Sequence, residues 1–428
     1  MKYSRKQKKG YESDYNKKCE SDSDQLINPS KANDDEDGDQ ATPTKASPRS
    51  ILETKTATKR RRDESAENRK AVYLVAELST NEPSHSVFMV DAAAAAAVAG
   101  GGGEVRRAHP LSGSGLTGAK HGMSFVAVRS EHGSWILGAG GRGGCTVIYD
   151  PITMEEFRGP HLHWPKQEPV LVSVGGVVYA ISRRPRVRLA SRLDYLPWVE
   201  SLSFNMGVPR LDRMDSPYWK SLPPPPLFPC LLRPSEYRNP PDYCVSSFAV
   251  VGSHILLSME QLPGEEQRGT YGFHVVDKAW EKVHDCNLPF VGQAVSIGGS
   301  LFAAAMPNNG GGGASVFHMS IIKVSSSSSP ASWQLLVQEF PVASLGRMIP
   351  QPRIFSPLGE GSFCSVGWLA SSGRSHGCQI KEYQIEGAES KKDLQATVQV
   401  KHQDQTYQFK GQSRFLDTHM PIVAALSM

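Results

Sequence analysis

The feature that most constrains the fold of this chain is a hairpin signal that occurs three times. Short apolar runs flank a glycine turn at Gly175-Gly176, at Gly252 and at Gly298-Gly299. A two-residue hairpin turn needs a positive φ, and glycine adopts that conformation with little steric cost. The flanking runs are short and rich in strand-forming residues, so the sequence predicts paired strands at each of these turns.

Each hairpin is followed by a second pair of strands, and the later strand of that pair carries a tryptophan. The tryptophans are Trp219, Trp280 and Trp333, and each is followed shortly afterwards by a proline that ends the strand. The turns at Gly252 and Gly298 are 46 residues apart. Four strands in a repeat of about this length are typical of one blade of a β-propeller.

We therefore predict an all-β protein whose residues 71–428 form a β-propeller of about six four-stranded blades. Each blade of such a ring packs on two neighbours, so its inner strands are apolar on both faces, as in VVYAI (177–181). An open sheet edge promotes aggregation, so we expect strands from the two ends of this region to share a blade. The alternative fold is a pair of β-sandwiches.

Residues 1–70 are predicted to be a disordered tail, because charged and small polar residues dominate there and apolar ones are few. A basic run in this tail, Lys59, Arg60, Arg61 and Arg62, matches a nuclear-localisation pattern. Four adjacent cations in an extended chain suit an importin groove, so we expect importin as a partner and a nuclear or nucleocytoplasmic protein. The alternative is a solvated charge run in a cytoplasmic protein.

The same tail contains four candidate phosphorylation sites. Ser21 and Ser23 are followed by acidic residues, and Thr42 and Ser47 are followed by proline. A phosphate adds about −1.5 to −2 charges, so phosphorylation near the basic run would weaken import. Sites as short as these also arise by chance, which is the alternative.

Two segments of the predicted propeller, residues 71–428, interrupt the repeat. Residues 92–118 begin with an Ala/Gly tract and are predicted to be a low-complexity loop. Residues 183–242 are predicted to be a long excursion between strands. This excursion contains Trp198 and Tyr218, which are candidate partner-binding residues because exposed aromatic side chains dominate many interfaces. The alternative is a loop that covers the edge of the ring.

The motifs predict no cofactor, no metal site and no catalytic residue. The seven cysteines lack a Cys-x-x-Cys pair, which indicates reduced thiols rather than a zinc site or a disulfide framework. The two histidines of HLHW (161–164) have the spacing for a metal, but no third ligand can be assigned, so packing or surface roles are expected. The Gly-rich stretches match no phosphate-binding loop.

The charge distribution and the hydropathy exclude two further classes of partner. The formal net charge is +4, and residues 1–70 contain 17 Lys and Arg against 14 Asp and Glu, so the body is nearly neutral. A nucleic-acid-binding face needs clustered cations, so no specific nucleic-acid partner is predicted. No apolar run long enough to span a bilayer is present, so no membrane association is expected.

One stretch, TVIYDPITMEEFRGPHLHWPKQEPVLVSVGGVVYAIS (146–182), resembles a family of plant kelch-like proteins of unknown function that is expanded in grasses. The matching positions are a strand-ending Asp, a Pro-x-Leu…Pro-Lys segment and a Pro-Val…Val-Gly…Tyr-Ala segment, here Asp150, Pro160, Leu162, Pro165, Lys166, Pro169, Val170, Val174, Gly175, Tyr179 and Ala180. The resemblance covers about residues 70–425 and implies a kelch-like propeller with no known catalytic residues. The double glycine of kelch repeats appears only in WILGAGG (135–141), so the repeat is degenerate.

The sequence therefore favours a non-enzymatic protein-interaction scaffold. We expect this scaffold to be a kelch-like propeller of about six blades that follows a disordered tail. Its loops are expected to bind a protein partner of unknown identity. The alternative is a small-molecule or carbohydrate-active enzyme that uses the central pocket of the ring. Inward-facing carboxylates, or His together with Tyr, at the mouth of that pocket would favour the enzyme.

Overall fold

The computed structural model describes parts of the second of the chain's two units, residues 62–428. The described residues are 71–78, 85–91, 105–111, 115–185, 187–189, 193–195, 198–211, 217–226, 243–260, 268–307, 314–326, 329–341, 354–359, 361–369, 377–386, 399–409 and 421–428. The predicted phosphorylation sites and basic run lie outside them: Ser21, Ser23, Thr42, Ser47, Lys59, Arg60, Arg61 and Arg62.

The described chain is all-β, with 26 strands and no helix in the ranges given above. Twenty-four strands form six antiparallel groups of four, which we call meanders 1 to 6. Meander 1 contains β1 (Ala71–Glu77), β2 (His85–Asp91), β3 (Val105–Pro110) and the last strand of the chain, β26 (Ile422–Ser427). Meander 2 contains β4 (Met123–Ser130), β5 (Gly133–Gly140), β6 (Cys145–Asp150) and β7 (Glu155–Gly159).

The other meanders follow in chain order. Meander 3 contains β8 (Val170–Val174), β9 (Val177–Ile181), β12 (Val199–Ser203) and β13 (Lys220–Leu222), with a separate hairpin of β10 (Val187–Leu189) and β11 (Leu193–Tyr195). Meander 4 contains β14 (Val245–Val251), β15 (His254–Met259), β16 (Thr270–His274) and β17 (Ala279–His284). Meander 5 contains β18 (Val291–Gly298), β19 (Leu301–Ala305), β20 (Ala314–Ser326) and β21 (Ser329–Pro341). Meander 6 contains β22 (Ile354–Gly359), β23 (Ser362–Leu369), β24 (Gly377–Glu386) and β25 (Gln399–Phe409).

The two ends of the region share meander 1, as the sequence predicted. β26 pairs antiparallel with β1, with Tyr73 opposite Leu426. Parallel contacts also join β3 to β25 and β14 to β18, so meanders 6 and 1, and meanders 4 and 5, form continuous sheets. Without β26, β1 would be an unpaired edge strand of meander 1. The last strand of the chain therefore covers that edge.

The hydrophobic core consists of six clusters, and each cluster combines buried side chains from two meanders that follow one another. The clusters unite meanders 1 and 2, 2 and 3, 3 and 4, 4 and 5, and 5 and 6, and the sixth unites meander 6 with meander 1. Inner strands such as β15 are buried at every position, which explains their uninterrupted apolar runs. Full burial of one Val, Leu, Ile or Phe side chain stabilises the fold by about 1.5–3 kcal/mol.

Two of the three predicted glycine turns lie where the sequence placed them. Gly175 and Gly176 both have positive φ, and Gly252 opens the turn between β14 and β15 with φ of 57°. The third turn is displaced by one residue, since Gly298 still pairs with Leu301 and the turn residues are Gly299 and Ser300. The cause is a local irregularity in β18, which shifts the register between Ser296 and Gly298 and adds one residue to that strand.

The three predicted tryptophans lie at the boundaries between meanders. Trp219 precedes β13 rather than lying within it, and its side chain is fully buried between meanders 2 and 3. Trp280 lies on β17 and packs in the cluster between meanders 3 and 4. Trp333 lies on β21 and packs against His254 of meander 4. Each tryptophan therefore contacts the meander that precedes its own.

The two predicted loops contain strands. The low-complexity loop 92–118 includes β3, which has hydrogen-bonded neighbours on both sides, β2 and β25. The excursion 183–242 includes β12 and β13, the third and fourth strands of meander 3. Neighbouring strands supply the backbone partners in both places, so tertiary pairing overrides a composition that favours loops. The described part of the chain contains no helix with the length and hydropathy to cross a membrane.

Candidate functional site

The loop 160–169 joins meander 2 to meander 3 and covers a buried ion pair. The Lys166 Nζ atom contacts the Glu200 Oε1 atom, and both side chains are almost completely withdrawn from solvent. Burial lowers the pKa of the Lys166 ammonium, and the adjacent Glu200 carboxylate opposes that shift. Glu200 lies on β12 between β9 and β13, where its backbone is paired on both sides. The ion pair therefore fixes the loop to the sheet of meander 3.

His163 lies above this ion pair at the surface, with its side chain about half exposed. Its backbone N–H donates to the Glu200 Oε2 atom at 2.8 Å, and its Nδ1 atom is 3.2 Å from the Ser221 Oγ atom. The same Nδ1 atom is 3.4 Å from Glu200 Oε2. A catalytic triad needs the base to face the nucleophile with one ring nitrogen and the carboxylate with the other. Here one nitrogen faces both, so the geometry holds the loop in place rather than activating Ser221.

The other histidine of the HLHW motif does not join this cluster. The His161 Nδ1 atom lies 3.4 Å from the carbonyl oxygen of Gly143. Across the described ranges, no three His, Cys, Asp or Glu side chains are grouped so that they could hold a metal ion. The described cysteines, Cys145, Cys244, Cys286, Cys364 and Cys378, are all free thiols.

The two candidate partner-binding aromatics have opposite environments. Tyr218 is 61% exposed, with its ring 6.5 Å from that of His163 and the Lys220 Nζ atom 5.9 Å from the Tyr218 ring centre. Trp198 is only 3% exposed, and its Nε1 atom donates to the Ser182 carbonyl oxygen at 2.8 Å. The prediction for Trp198 is therefore wrong, because this side chain belongs to the core between meanders 3 and 4. It lies directly before β12, and its carbonyl oxygen accepts a hydrogen bond from the Ser182 N–H at 2.9 Å.

A groove of about 350 Å³ lies along β7, the outermost strand of meander 2, and is lined by Glu156, Phe157, Arg158, Arg210 and Leu211. The Arg210 guanidinium lies 3.9 Å above the centre of the Phe157 ring, which is a favourable cation–π geometry. The Leu211 N–H donates to the Arg158 carbonyl oxygen at 2.9 Å, so the segment before Leu211 runs beside the strand.

Among the described residues that line this groove, Glu156 alone is acidic, and its carboxylate already has partners. It accepts hydrogen bonds from the Thr117 N–H at 2.8 Å, the Thr117 hydroxyl at 3.0 Å and the Gly118 N–H at 2.6 Å. A Cβ atom on Gly118 would lie 2.9 Å from Glu156 Oε1, so the small residue allows this approach. The described lining of the groove thus combines two arginines and one hydrogen-bonded carboxylate with the side chains of Phe157 and Leu211.

Half of the large apolar side chains that are exposed among the described residues belong to meanders 2 and 3 and their connections. They are Ile152, Met154, Met206, Leu211 and Tyr218. We call the groove together with Leu211, Tyr218 and His163 the outer face of meanders 2 and 3. Trp219 connects the groove with Tyr218. It follows Tyr218 in the chain, and its Nε1 atom donates to the carbonyl oxygen of Pro160, which lies two residues after Arg158 of the groove. Concentrations of exposed apolar residues mark interaction surfaces.

Sequence reasoning identified Tyr218 and the HLHW motif but missed Glu200, Arg210 and the groove. One signal was available: Glu200 is an acidic residue within the run WVESL, where a charge can be buried only with a partner. The groove had no such signal, because its residues come from β7 and from a segment more than fifty positions away along the chain.

Comparisons with known proteins include a family model that covers most of the described residues and ends before β26. A family model described as "Protein of unknown function (DUF1668)" matches residues 69–413, so the match begins two residues before β1. No curated protein sequence matches the chain. Among solved structures, TolB from Acinetobacter baumannii is similar, with a TM-score of 0.37 and 8% identity over 72% of this chain and 60% of that chain. This chain thus spans less than two thirds of the TolB chain.

Proposed function

Because the chain belongs to the DUF1668 family, which has no known function, we propose a role from the chain's own geometry: a non-enzymatic protein-interaction scaffold. The partner, a protein, binds the outer face of meanders 2 and 3. The observation that carries this proposal is the concentration of exposed apolar side chains around a structured groove, with Leu211 54% and Tyr218 61% exposed. Interfaces are formed by such anchors inside a polar rim.

The proposal includes a kelch-like β-propeller in which the six meanders are the blades. It is supported by the six core clusters, each of which unites two consecutive meanders and the last of which unites meander 6 with meander 1. The tryptophan near the fourth strand of meanders 3, 4 and 5 supports the kelch-like repeat. The plant origin suggested by residues 146–182 is part of the same proposal.

The enzyme alternative placed its site in the central pocket of the ring. The groove lies instead along β7, at the outer end of a meander, and the His163 geometry does not activate Ser221. No observation on the described residues favours the enzyme over the scaffold, so we propose one function.

The scaffold is proposed to act in the nucleus, with importin as its transport partner through Lys59, Arg60, Arg61 and Arg62. A fluorescent fusion tests this directly. Changing these four residues to Ala should move the protein to the cytoplasm. The matched control changes four other cations of the same tail, Arg5, Lys6, Lys8 and Lys9, and should leave the protein nuclear. If both variants distribute like the unchanged protein, the basic run is a solvated charge run. Cytoplasmic partners are then the alternative.

The interaction role is tested by proximity labelling of the full chain in cells. The face variant combines Leu211→Asp with Tyr218→Ala. The control is Val276→Asp, an exposed apolar residue in meander 4 that receives the same added charge. We expect one set of labelled proteins to be lost with the face variant and kept with the control. Equal labelling by all three proteins would overturn the proposal.

A further inference from the structure

We propose that the projecting part of β20 and β21 is a self-association surface, through which two copies of this chain form a weak symmetric dimer. We call segments 320–326 of β20 and 329–336 of β21 the ribbon. The ribbon belongs to meander 5, whereas the partner site proposed above lies on meanders 2 and 3. The inference therefore goes beyond that proposed function.

The ribbon extends past the other strands of its meander. β20 and β21 have 13 residues each, whereas β19 has five. β19 pairs with β20 from Ala314 to His318, and the Met319 N–H donates to the carbonyl oxygen of Ser300, in the turn before β19. From Ser320 onward, the described pairing of β20 is with β21 alone. The side chains of the ribbon therefore lie on two faces of a two-stranded structure.

The two faces have different neighbours lower down the same strands. Side chains of a strand alternate between its two sides, and the register of β20 and β21 places even-numbered residues opposite even-numbered ones. The odd-numbered residues Met319, Trp333 and Leu335 pack in the cluster between meanders 4 and 5. The even-numbered residues Val316 and Phe340 pack in the cluster between meanders 5 and 6. The even-numbered face thus begins as a core contact with meander 6.

This even-numbered face continues along the ribbon as an exposed apolar stripe. Ile322 is 42% exposed, Val324 39% and Leu336 46%. Leu336 lies opposite Ser320, and Ile322 lies opposite Gln334, so these side chains share one face. Exposed apolar side chains that are grouped in this way mark an interaction surface.

The polar side chains of the same face indicate which partner fits. They are Ser320, Ser332 and Gln334, and no described position of this face between these residues is charged. A hydroxyl or a carboxamide both donates and accepts hydrogen bonds, so each can pair with its own copy across a two-fold axis. A carboxylate or an ammonium group could not. Lys323 lies on the opposite face, with its Nζ atom 5.5 Å from the centre of the Trp333 ring.

The face is therefore self-complementary, which is what the interface of a two-fold dimer requires. Two identical copies bring their apolar stripes together without placing like charges opposite each other. A partner with a strong charge of either sign would find no opposite charge on this face. A second copy of the chain is the occupant that this chemistry favours.

The size of the ribbon predicts that the dimer is weak. Strand geometry gives the ribbon a face of roughly 20 Å by 10 Å, since strands rise about 3.4 Å per residue and lie about 5 Å apart. Stable interfaces bury about 800 Å² on each partner, so we expect a transient dimer that forms at roughly micromolar concentrations and above. Such a dimer would present two copies of the outer face of meanders 2 and 3, and a partner with two binding sites would gain avidity.

The test is sedimentation velocity of the full chain at concentrations from about 1 to 300 µM, which bracket the expected dissociation constant. Two variants place opposite charges on the ribbon face, Gln334→Glu and Gln334→Lys. Gln334 is an exposed residue, so neither variant disturbs the core. Each variant is measured alone and in an equimolar mixture. The matched controls are Gln293→Glu and Gln293→Lys, at an exposed glutamine on β18 of the same meander.

We expect the unchanged chain to pass from monomer to dimer as its concentration rises. Each Gln334 variant alone should dimerise about tenfold more weakly or worse, because two like charges then meet across the axis. The equimolar mixture should dimerise at least as tightly as the unchanged chain, because opposite charges then meet. Both control variants should dimerise like the unchanged chain.

Three results would overturn the proposal. A chain that stays monomeric over the whole range would leave a different protein as the occupant of this face. A dimer that neither Gln334 variant weakens would form through another surface. A mixture that dimerises no better than the single variants would show that the two ribbon faces do not meet across a two-fold axis.

Discussion

The Trp280 Nε1 atom donates a hydrogen bond of 2.8 Å to the Pro223 carbonyl oxygen, and the two residues belong to successive meanders. Pro223 is the residue directly after β13, the fourth strand of meander 3. Trp219 repeats the relationship one meander earlier, donating to Pro160, the residue directly after β7, at 3.0 Å. The proline that ends an outer strand thus supplies a carbonyl oxygen to the tryptophan of the next meander.

This relationship predicts unequal effects for two identical substitutions. Trp219→Phe should lower the free energy of unfolding by about 3 kcal/mol, because Trp219 is fully buried and its Nε1 atom serves both Pro160 and the Thr146 hydroxyl. Trp280→Phe should lower it by about 1 kcal/mol, since its single hydrogen bond is accessible to water. Urea unfolding followed by circular dichroism measures both. Equal effects, or a larger one at Trp280, would contradict this account.

The buried pair of Lys166 and Glu200 predicts a non-additive mutant cycle. Lys166→Met alone should lower the free energy of unfolding by about 3–5 kcal/mol, because Glu200 is left as a buried charge without its cation. The double variant Lys166→Met, Glu200→Leu should recover much of that loss. Its recovery should be incomplete, since the His163 N–H then loses its acceptor. Chemical denaturation of Lys166→Met, of Glu200→Leu and of the double variant gives the coupling energy, and additive losses would show that the pair is not coupled.

The repeat could be predicted from sequence because each of its parts has a local physical cause. Gly175 and Gly176 have positive φ, and the apolar runs around them form the first two strands of meander 3. The covering of β1 by β26 could be expected for a related reason, since an open edge is a liability.

What the sequence did not predict depends on contacts between distant residues. β3 has the composition of a loop but is paired on both sides by β2 and β25. Trp198 has the features of an exposed anchor but lies in the core. The groove depends on Arg210 stacking on Phe157, a contact between two different meanders that no local pattern encodes. Tyr218 was the one candidate partner residue that the structure places at the surface.

Two glycines with positive φ predict a graded effect of a single added methyl group. Gly175→Ala should lower the free energy of unfolding by about 1 kcal/mol, because its φ of 56° is strained for alanine while the space around the new Cβ atom is open. Gly140→Ala should be clearly worse. Its φ is 119°, and the new Cβ atom would lie 2.7 Å from the Lys166 carbonyl oxygen, a backbone atom that cannot rotate away. Thermal unfolding of both variants tests the order, and a milder effect at Gly140 would contradict it.

The last prediction concerns acid sensitivity at the boundary between meanders 4 and 5. Burial, reinforced by neighbouring His274, lowers the pKa of His254 to about 4, although Asp277 acts in the opposite direction. The two rings are 4.6 Å apart, Trp333 packs on both, and the His254 Nε2 atom has no hydrogen-bond partner among the described residues.

A histidine whose pKa is lower in the folded state than in the unfolded chain favours folding while it is neutral. Its contribution is therefore complete above pH 6.5, the ordinary value, and is lost as the pH falls toward 4. Over that interval we expect the free energy of unfolding to fall by about 3 kcal/mol at most from this residue. Urea unfolding at pH 7.5 and 4.5 measures the change. His254→Gln should reduce it, because the substituted side chain does not titrate, whereas His132→Gln, at an exposed position, should leave it intact. An unchanged pH dependence in the His254 variant would show that another group causes the acid sensitivity.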